Sequence, residues 1–254
     1  IREVKLNKFK RFTDLTIKDI PETARLVILV GPNGCGKTSV FEAFNHWYKY
    51  RGYGRYNYEN QDYFVKCGDK ETLETELWFD KRVEVIAYDE ALIEQSEIKG
   101  KFYFRTAHRN EPDFTTQHLS RQEDPRNITR FDTLMTTDIT VSSNYQRLVS
   151  NTLSGVFDTT NNGKTVEELR EKLIGKIKKS LSNVFDDLQF SNIGEPLVNG
   201  SFYFTKGRSE NFHYKNLSAG EKSAFDIILD LVIKTDSFDN TVYYIDEPEA
   251  HMHT

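Results

Sequence analysis

Gly31-Pro32-Asn33-Gly34-Cys35-Gly36-Lys37-Thr38 is a complete G-x-x-x-x-G-K-T run. It lies between an apolar, β-branched stretch, Leu26-Val27-Ile28-Leu29-Val30, and a helical pattern that begins near Lys37 and carries Val40, Phe41 and Phe44. Strand, glycine loop and helix in that order predict a strand over 26–30 and a loop that cradles phosphate. Glycines are needed because backbone N–H groups must curl around phosphate oxygens, and a Cβ would obstruct the approach. Lys37 would set a point charge between the β- and γ-phosphates, Thr38 would offer its hydroxyl to Mg²⁺, and the helix start would add its partial positive charge. Gly31, Asn33, Gly34, Cys35, Gly36, Lys37, Thr38 and Ser39 are therefore the candidate nucleotide contacts. The bland alternative, a glycine-rich turn with an incidental lysine, explains neither flank.

Outward from that loop, composition sets bounds. At 254 residues and 37% hydrophobic content the chain can bury the core of one large domain or two small ones. Its longest wholly apolar stretches are five residues, too short to span a bilayer, and no charged-then-apolar leader precedes Leu6. A cytoplasmic protein with no membrane partner is the expectation. Cys35 and Cys67 have neither metal-ligand nor redox spacing, which suits a reducing compartment. A net charge of −5 argues against an all-over positive potential but permits a local basic face, and Arg2, Lys5, Lys8, Lys10 and Arg11 oppose only Glu3 at the start. Because the chain opens on Ile1, a longer gene product is expected.

Residues 2–7 and 15–20 read as strands around the basic turn Lys8-Phe9-Lys10-Arg11-Phe12. After the loop helix, Tyr48, Tyr50, Tyr53, Tyr56, Tyr58 and Tyr63 interleave with Lys49, Arg51 and Arg55. Such a stretch could stack and neutralise single-stranded nucleic acid; a tyrosine-rich connector packed on the domain is the simpler reading. Strands are predicted over 72–79, 83–88, 101–106 and 201–205, with loops and short helices over 107–143. The longest helical pattern runs from Thr165 to Leu188, with Val166, Leu169, Leu173, Ile177, Leu181, Val184 and Leu188 on one face. Its lysines, Lys172, Lys176, Lys178 and Lys179, fit a solvated face better than a ligand site.

Two further segments carry chemistry. Val242-Tyr243-Tyr244-Ile245-Asp246-Glu247 is an apolar strand ending in two carboxylates, a Walker B pattern. Asp246 would hold Mg²⁺, and Glu247 would orient or deprotonate the water that attacks the γ-phosphate, with Lys37 sharing the catalytic role. Leu217-Ser218-Ala219-Gly220-Glu221 opens an apolar helix through Ala224, Phe225, Ile227, Ile228, Leu231 and Val232. Ser218 with Glu221 reads as a capping box, and equally as an anion site built from a hydroxyl and free N–H groups; both can hold together.

Loop, Leu-Ser-Ala-Gly-Glu and Walker B in this order resemble the ABC-type ATPases of the SMC, RecF and OLD-like branch. The resemblance implies an α/β P-loop NTPase: an ABC-ATPase head with a mixed sheet, an antiparallel β subdomain and a helical insertion lobe. One domain over 1–254 is expected, its nucleotide core drawn from 1–50 and 216–254 and its insertion and helical lobe from 51–215. ATP and Mg²⁺ are the implied cofactors. Ser218, Ala219 and Gly220 would meet the γ-phosphate of a nucleotide held by another subunit, so a homodimer or higher homo-oligomer follows. The opening Leu6-Asn7-Lys8-Phe9-Lys10-Arg11-Phe12 resembles that branch too, which implies that Lys10 approaches the phosphates. Ala219 stands where the family has a glycine, no Q-loop glutamine is assignable over 64–150, and the family's switch histidine is absent, so a further C-terminal portion is expected; His251 and His253 come too soon for that role and fit a subunit-contact loop. Asp246-Glu247-Pro248-Glu249-Ala250-His251-Met252-His253 resembles OLD- and Septu-type anti-phage defence ATPases, which implies a sensor subunit controlling an effector nuclease or other toxin. DNA repair or chromosome maintenance of RecF or SMC type, with nucleic acid as partner, is the alternative; a transporter subunit fits the opening motif and the Walker B tail less well. No nuclease constellation is visible outside Walker B.

Overall fold

Alternation in Glu3-Val4-Lys5-Leu6-Asn7 sends Val4 and Leu6 inward, and this segment is strand β1 (Glu3–Asn7). The structure, a computed structural model, describes residues 1–54, 61–66, 82–94, 97–106, 112–114, 120, 122–127, 140–238 and 240–248. They fall into two units, the first mainly from Ile1–Arg105 with Phe238–Asp246, the second mainly from Thr137–Ser237.

In the first unit β1 is the middle strand of an antiparallel sheet, between β2 (Asp14–Ile17) and β3 (Val83–Ile86), in register Val4↔Ile17 and Val4↔Val85. Helix α1 (Lys37–Tyr53) follows the glycine loop, and α2 (Gln61–Phe64) is a single turn. β4 (Phe102–Arg105) pairs in parallel with β8 (Val242–Ile245), Phe102 opposite Val242 and Arg105 opposite Ile245. The core is aromatic: Phe41, Phe44, Trp47, Phe102 and Phe104 are buried, with Tyr244 packed against them. Tyr48 also belongs to this core at 8% exposure, and Tyr50 and Tyr53 pack on it, so this part of the tyrosine stretch is domain packing. Tyr56, Tyr58, Arg55, Cys67 and the strand expected over 72–79 lie outside the described residues.

The stretch 26–30 differs from expectation. It forms no strand, and Leu26 to Val30 are between 42% and 89% exposed. A strand exists only where a neighbour takes up its N–H and C=O groups. Among the described residues none pairs with 26–30, so apolar, β-branched composition alone does not make it one.

In the second unit, α3 (Thr140–Phe157), α4 (Val166–Ser182) and α5 (Ala219–Lys234) pack with an antiparallel sheet ordered β5 (Leu188–Asn192), β6 (Tyr203–Lys206), β7 (Ser209–His213). Buried Ile174, Ile177 and Leu181 of α4 and Phe225 and Leu229 of α5 enclose Phe190, Phe202 and Phe204. The helix predicted to Leu188 stops at Ser182 instead. Asn183 caps it, Val184 is 57% exposed, and Leu188 already starts β5. Among the described residues no helix is long and apolar enough to cross a membrane.

Candidate functional site

The glycines of the loop are used as glycines. Gly34 and Gly36 have φ of 78° and 107°, a left-handed backbone that L side chains avoid. At Gly36 a Cβ would stand 2.4 Å from Cζ of Phe12, so the aromatic ring occupies the space a side chain would need. Gly36 is also the N-cap of α1, and this helix has no side-chain cap and no acidic residue in its first turn. The other long helices with a described N-cap are treated differently: α4 and α5 each begin with a complete capping box. The N–H groups of Lys37, Thr38 and Ser39 thus point from a helix start whose dipole favours an anion. Ser39 itself is buried, leaving its backbone as its contribution.

Lys37 lies over the loop. Its Nζ donates to the carbonyls of Gly31 at 2.8 Å and Pro32 at 3.3 Å, and Cys35 donates its N–H to Pro32 O at 3.2 Å. The donors in these local bonds, the Lys37 ammonium and the Cys35 N–H, are groups that a phosphate would engage.

Thr38 meets the Walker B strand. Its Oγ1 donates toward both carboxylate oxygens of Asp246, each at 3.2 Å, across 208 residues of sequence. β8 is held for this contact by main chain and by rings. Asp246 donates its N–H to Arg105 O at 3.0 Å, and Tyr244 stacks on Phe104 at 5.0 Å and packs at a tilt against Phe44 of α1 at 4.5 Å. Burial pushes the Tyr244 phenol well above its ordinary value, so it stays a neutral wedge. A hydroxyl and a carboxylate converging on one point are hard oxygen donors that suit Mg²⁺, which binds one or two protein groups and keeps its waters. Among the described residues no cluster of three or more His, Cys, Asp or Glu could hold a metal, so this is no all-protein cage.

The turn between β1 and β2 also reaches the loop. Lys8 and Lys10 adopt left-handed φ of 46° and 51°, and Lys8 N–H bonds Thr13 O while Phe12 N–H bonds Phe9 O. Lys10, expected at the phosphates, is ion-paired with the buried Glu42 of α1 and sits 3.9 Å above the ring of Tyr63, whose hydroxyl donates to Glu42 at 2.8 Å. Its neighbour Arg11 reaches the loop instead, donating from Nη1 to Gly34 O. Arg11 belongs to the same basic turn, but the sequence points to Lys10 and not to Arg11 as the nucleotide contact.

Ser218, Ala219 and Gly220 lie in the second unit. Ser218 and Ala219 are exposed. Ser218 is the N-cap of α5: its Oγ accepts from Glu221 N–H at 3.3 Å and its N–H donates to Glu221 Oε2 at 2.8 Å. Lys206 donates to the other oxygen of Glu221 at 2.7 Å. Burial raises the Glu221 carboxyl, but the bonds from Lys206 and Ser218 outweigh it and hold the group below its ordinary value. Beneath the cap, the buried Tyr214 hydroxyl donates to Asp226 of α5 at 2.9 and 3.0 Å. Asn144 of α3 donates to Asp230 at 2.8 Å, and Lys234 pairs with the same carboxylate. The capping reading is thereby realised, and because Ser218 Oγ acts there as an acceptor, its hydroxyl still has a proton to donate. Glu247 is exposed and has a φ of 46°, a strained conformation for a residue with a side chain. His251 and His253 lie outside the described residues.

No curated protein matches the chain. A family model does: the AAA domain model covers residues 3–241, from β1 to the threshold of β8. With a glycine loop opening on an uncapped helix and a Thr38–Asp246 contact behind it, the chain belongs to the AAA domain family and is a P-loop nucleoside-triphosphatase domain.

Proposed function

We propose that this domain binds ATP with Mg²⁺ at Gly31–Thr38 and hydrolyses it to ADP and phosphate. The observation that carries the reading is the meeting of Thr38 and Asp246, two segments 208 residues apart whose oxygens converge beside the glycine loop. Loop N–H groups and Lys37 would hold the phosphates, and Mg²⁺ would sit between Thr38 and Asp246, where it supplies charge neutralisation to the phosphate oxygens. Glu247 would accept a proton from the water that attacks the γ-phosphorus as the bond to the bridging oxygen breaks. Its strained φ supports a functional role, since such conformations persist where the surrounding chain enforces them.

In the finer reading the domain is of ABC type and pairs with a second copy. Ser218, exposed at the uncluttered start of α5 and with a hydroxyl proton to give, would meet the γ-phosphate bound by that copy. ATP then joins two protomers and hydrolysis parts them. The resemblance of the Asp246–His253 segment to OLD- and Septu-type ATPases supports a cytoplasmic defence role in which the pairing governs an effector nuclease.

Phosphate release from ATP tests the core of this proposal. Wild type is expected to turn over ATP only with Mg²⁺; Lys37→Ala is expected to weaken ATP binding by about a hundredfold, from loss of charge-assisted bonds. Asp246→Asn is expected to bind ATP yet lose the response to Mg²⁺. Undiminished turnover in Lys37→Ala would refute the site.

A further inference from the structure

We propose that Arg11 is a phosphate-binding residue of the nucleotide site, with Lys10 as the anchor that holds it there. This rests on the ATP-site reading above and adds to it a residue outside the glycine loop.

Two contacts from one turn fall on the loop. Arg11 donates from Nη1 to Gly34 O, and the Phe12 ring fills the space beside Gly36 where a Cβ would be 2.4 Å away. The turn is not a loose one. Lys10 N–H bonds Phe64 O at 2.7 Å, Lys66 N–H bonds Lys8 O at 3.3 Å, and Phe9 bridges Val65. The Lys10 ammonium is committed to Glu42, whose side chain is 2% exposed and whose second oxygen takes the Tyr63 hydroxyl. Removing Lys10 from that pair would leave a buried carboxylate uncompensated, so Lys10 is fixed where it stands. Of these two adjacent cations of the turn, Arg11 is therefore the one that serves the loop, alongside Lys37.

A guanidinium has five N–H donors in a flat fork. One of them serves the Gly34 carbonyl, a neutral acceptor, and the side chain is exposed with no carboxylate paired to it among the described residues. A polyphosphate entering the loop brings charged oxygens to the same end of the same fork, and guanidinium–phosphate bonds are shorter and about twice as strong as neutral ones. The carbonyl contact sets the fork's position in advance; the remaining donors bind the ligand.

The test is calorimetric titration of the full chain with Mg·ATP, for wild type, Arg11→Ala, Arg11→Gln and Lys37→Ala. Melting temperatures equal to wild type establish that the variants fold, as exposure of Arg11 leads one to expect. Arg11→Ala is expected to raise Kd at least about tenfold, the factor of a charge-assisted bond. Arg11→Gln separates two roles: it keeps a donor for a carbonyl but carries no charge. It is expected to bind as weakly as Arg11→Ala, and both are expected to show a shallower dependence of Kd on salt than wild type. Wild-type affinity in either variant overturns the phosphate contact, and rescue by glutamine alone makes Arg11 merely a brace for Gly34. If wild type and Lys37→Ala bind ATP equally poorly, the ATP reading itself fails, which is a different result from failure at Arg11.

Discussion

Cys35 is the loop residue whose chemistry reports most directly on occupancy. It is exposed, and its Sγ stands 2.7 Å from where a Gly31 Cβ would be, so an adduct on this thiol would be carried within the glycine loop itself. Alkylation with iodoacetamide is expected to abolish ATP binding, and Mg·ATP at saturating concentration is expected to slow the labelling at least about tenfold. Mass spectrometry of the labelled peptide checks both; equal labelling rates with and without ATP would move the nucleotide elsewhere. The residue scale also marks the limit of reading charge from sequence. Lys10 and Arg11 are adjacent and alike on paper, and nothing in their order tells which side chain turns toward α1. The left-handed backbone at Lys10 and a glutamate thirty-two positions on decide it, because Glu42 is buried and needs a cation.

At the scale of elements, the helix starts divide the labour. α4 and α5 each begin with their own capping box, whereas α1 begins at Gly36 with no side-chain cap, at the place proposed for the nucleotide phosphates. Ser218→Ala is expected to cost about 1 kcal/mol as a lost cap and to lower Tm by about 2–4 °C in a chain of this size, while Ser218→Asp keeps a capping oxygen but sets a negative charge at the place proposed for a γ-phosphate. Turnover lost in Ser218→Asp with Tm unchanged would separate the two roles of the hydroxyl. The Glu221 cap has a pH signature. Its carboxyl titrates below the ordinary value in the folded chain, so its contribution is complete above the unfolded pKa of about 4.3 and disappears as pH falls through the lower folded value. Lys206 is raised by the same pair, so its share persists below its ordinary value and is lost only as pH climbs above it. Melting curves between pH 7 and pH 3 should therefore show Glu221→Gln less stable than wild type at neutral pH and level with it in acid. A gap that does not close in acid would remove the carboxylate from the explanation.

Elements were legible where a local rule enforces them. The loop and α1, β1 with β2, the Ser218 cap and β8 follow from turn, capping and alternation patterns within a few residues. α3 is hard to read from sequence although Val141, Tyr145, Leu148 and Val149 recur at helical spacing, because Ser, Thr and Asn fill much of the rest of Thr140–Phe157 and mimic a loop. The start of β5 is hidden in the sequence, since Leu188 continues the apolar period of the preceding helix past the turn at Asn183. The 26–30 stretch is the converse error: strand composition is visible locally, while a strand's hydrogen-bond partners are not.

For the molecule as a whole, the Thr38–Asp246 contact could be foreseen only as a relation between motifs. It is the outcome of β8 pairing with β4 and packing its Tyr244 against α1. The same holds for the pairing of protomers, in which each glycine loop would need the Ser218 of a second copy, and ATP would be the joint between them. Glu247→Gln addresses that claim most directly, because it keeps the shape of the side chain and removes its capacity to accept a proton. Light scattering of this variant during size exclusion, with Mg·ATP and without, should give twice the 29.6 kDa chain mass with nucleotide and a single chain mass without it. An unchanged mass in saturating ATP, in a variant that binds ATP by calorimetry, would contradict the account.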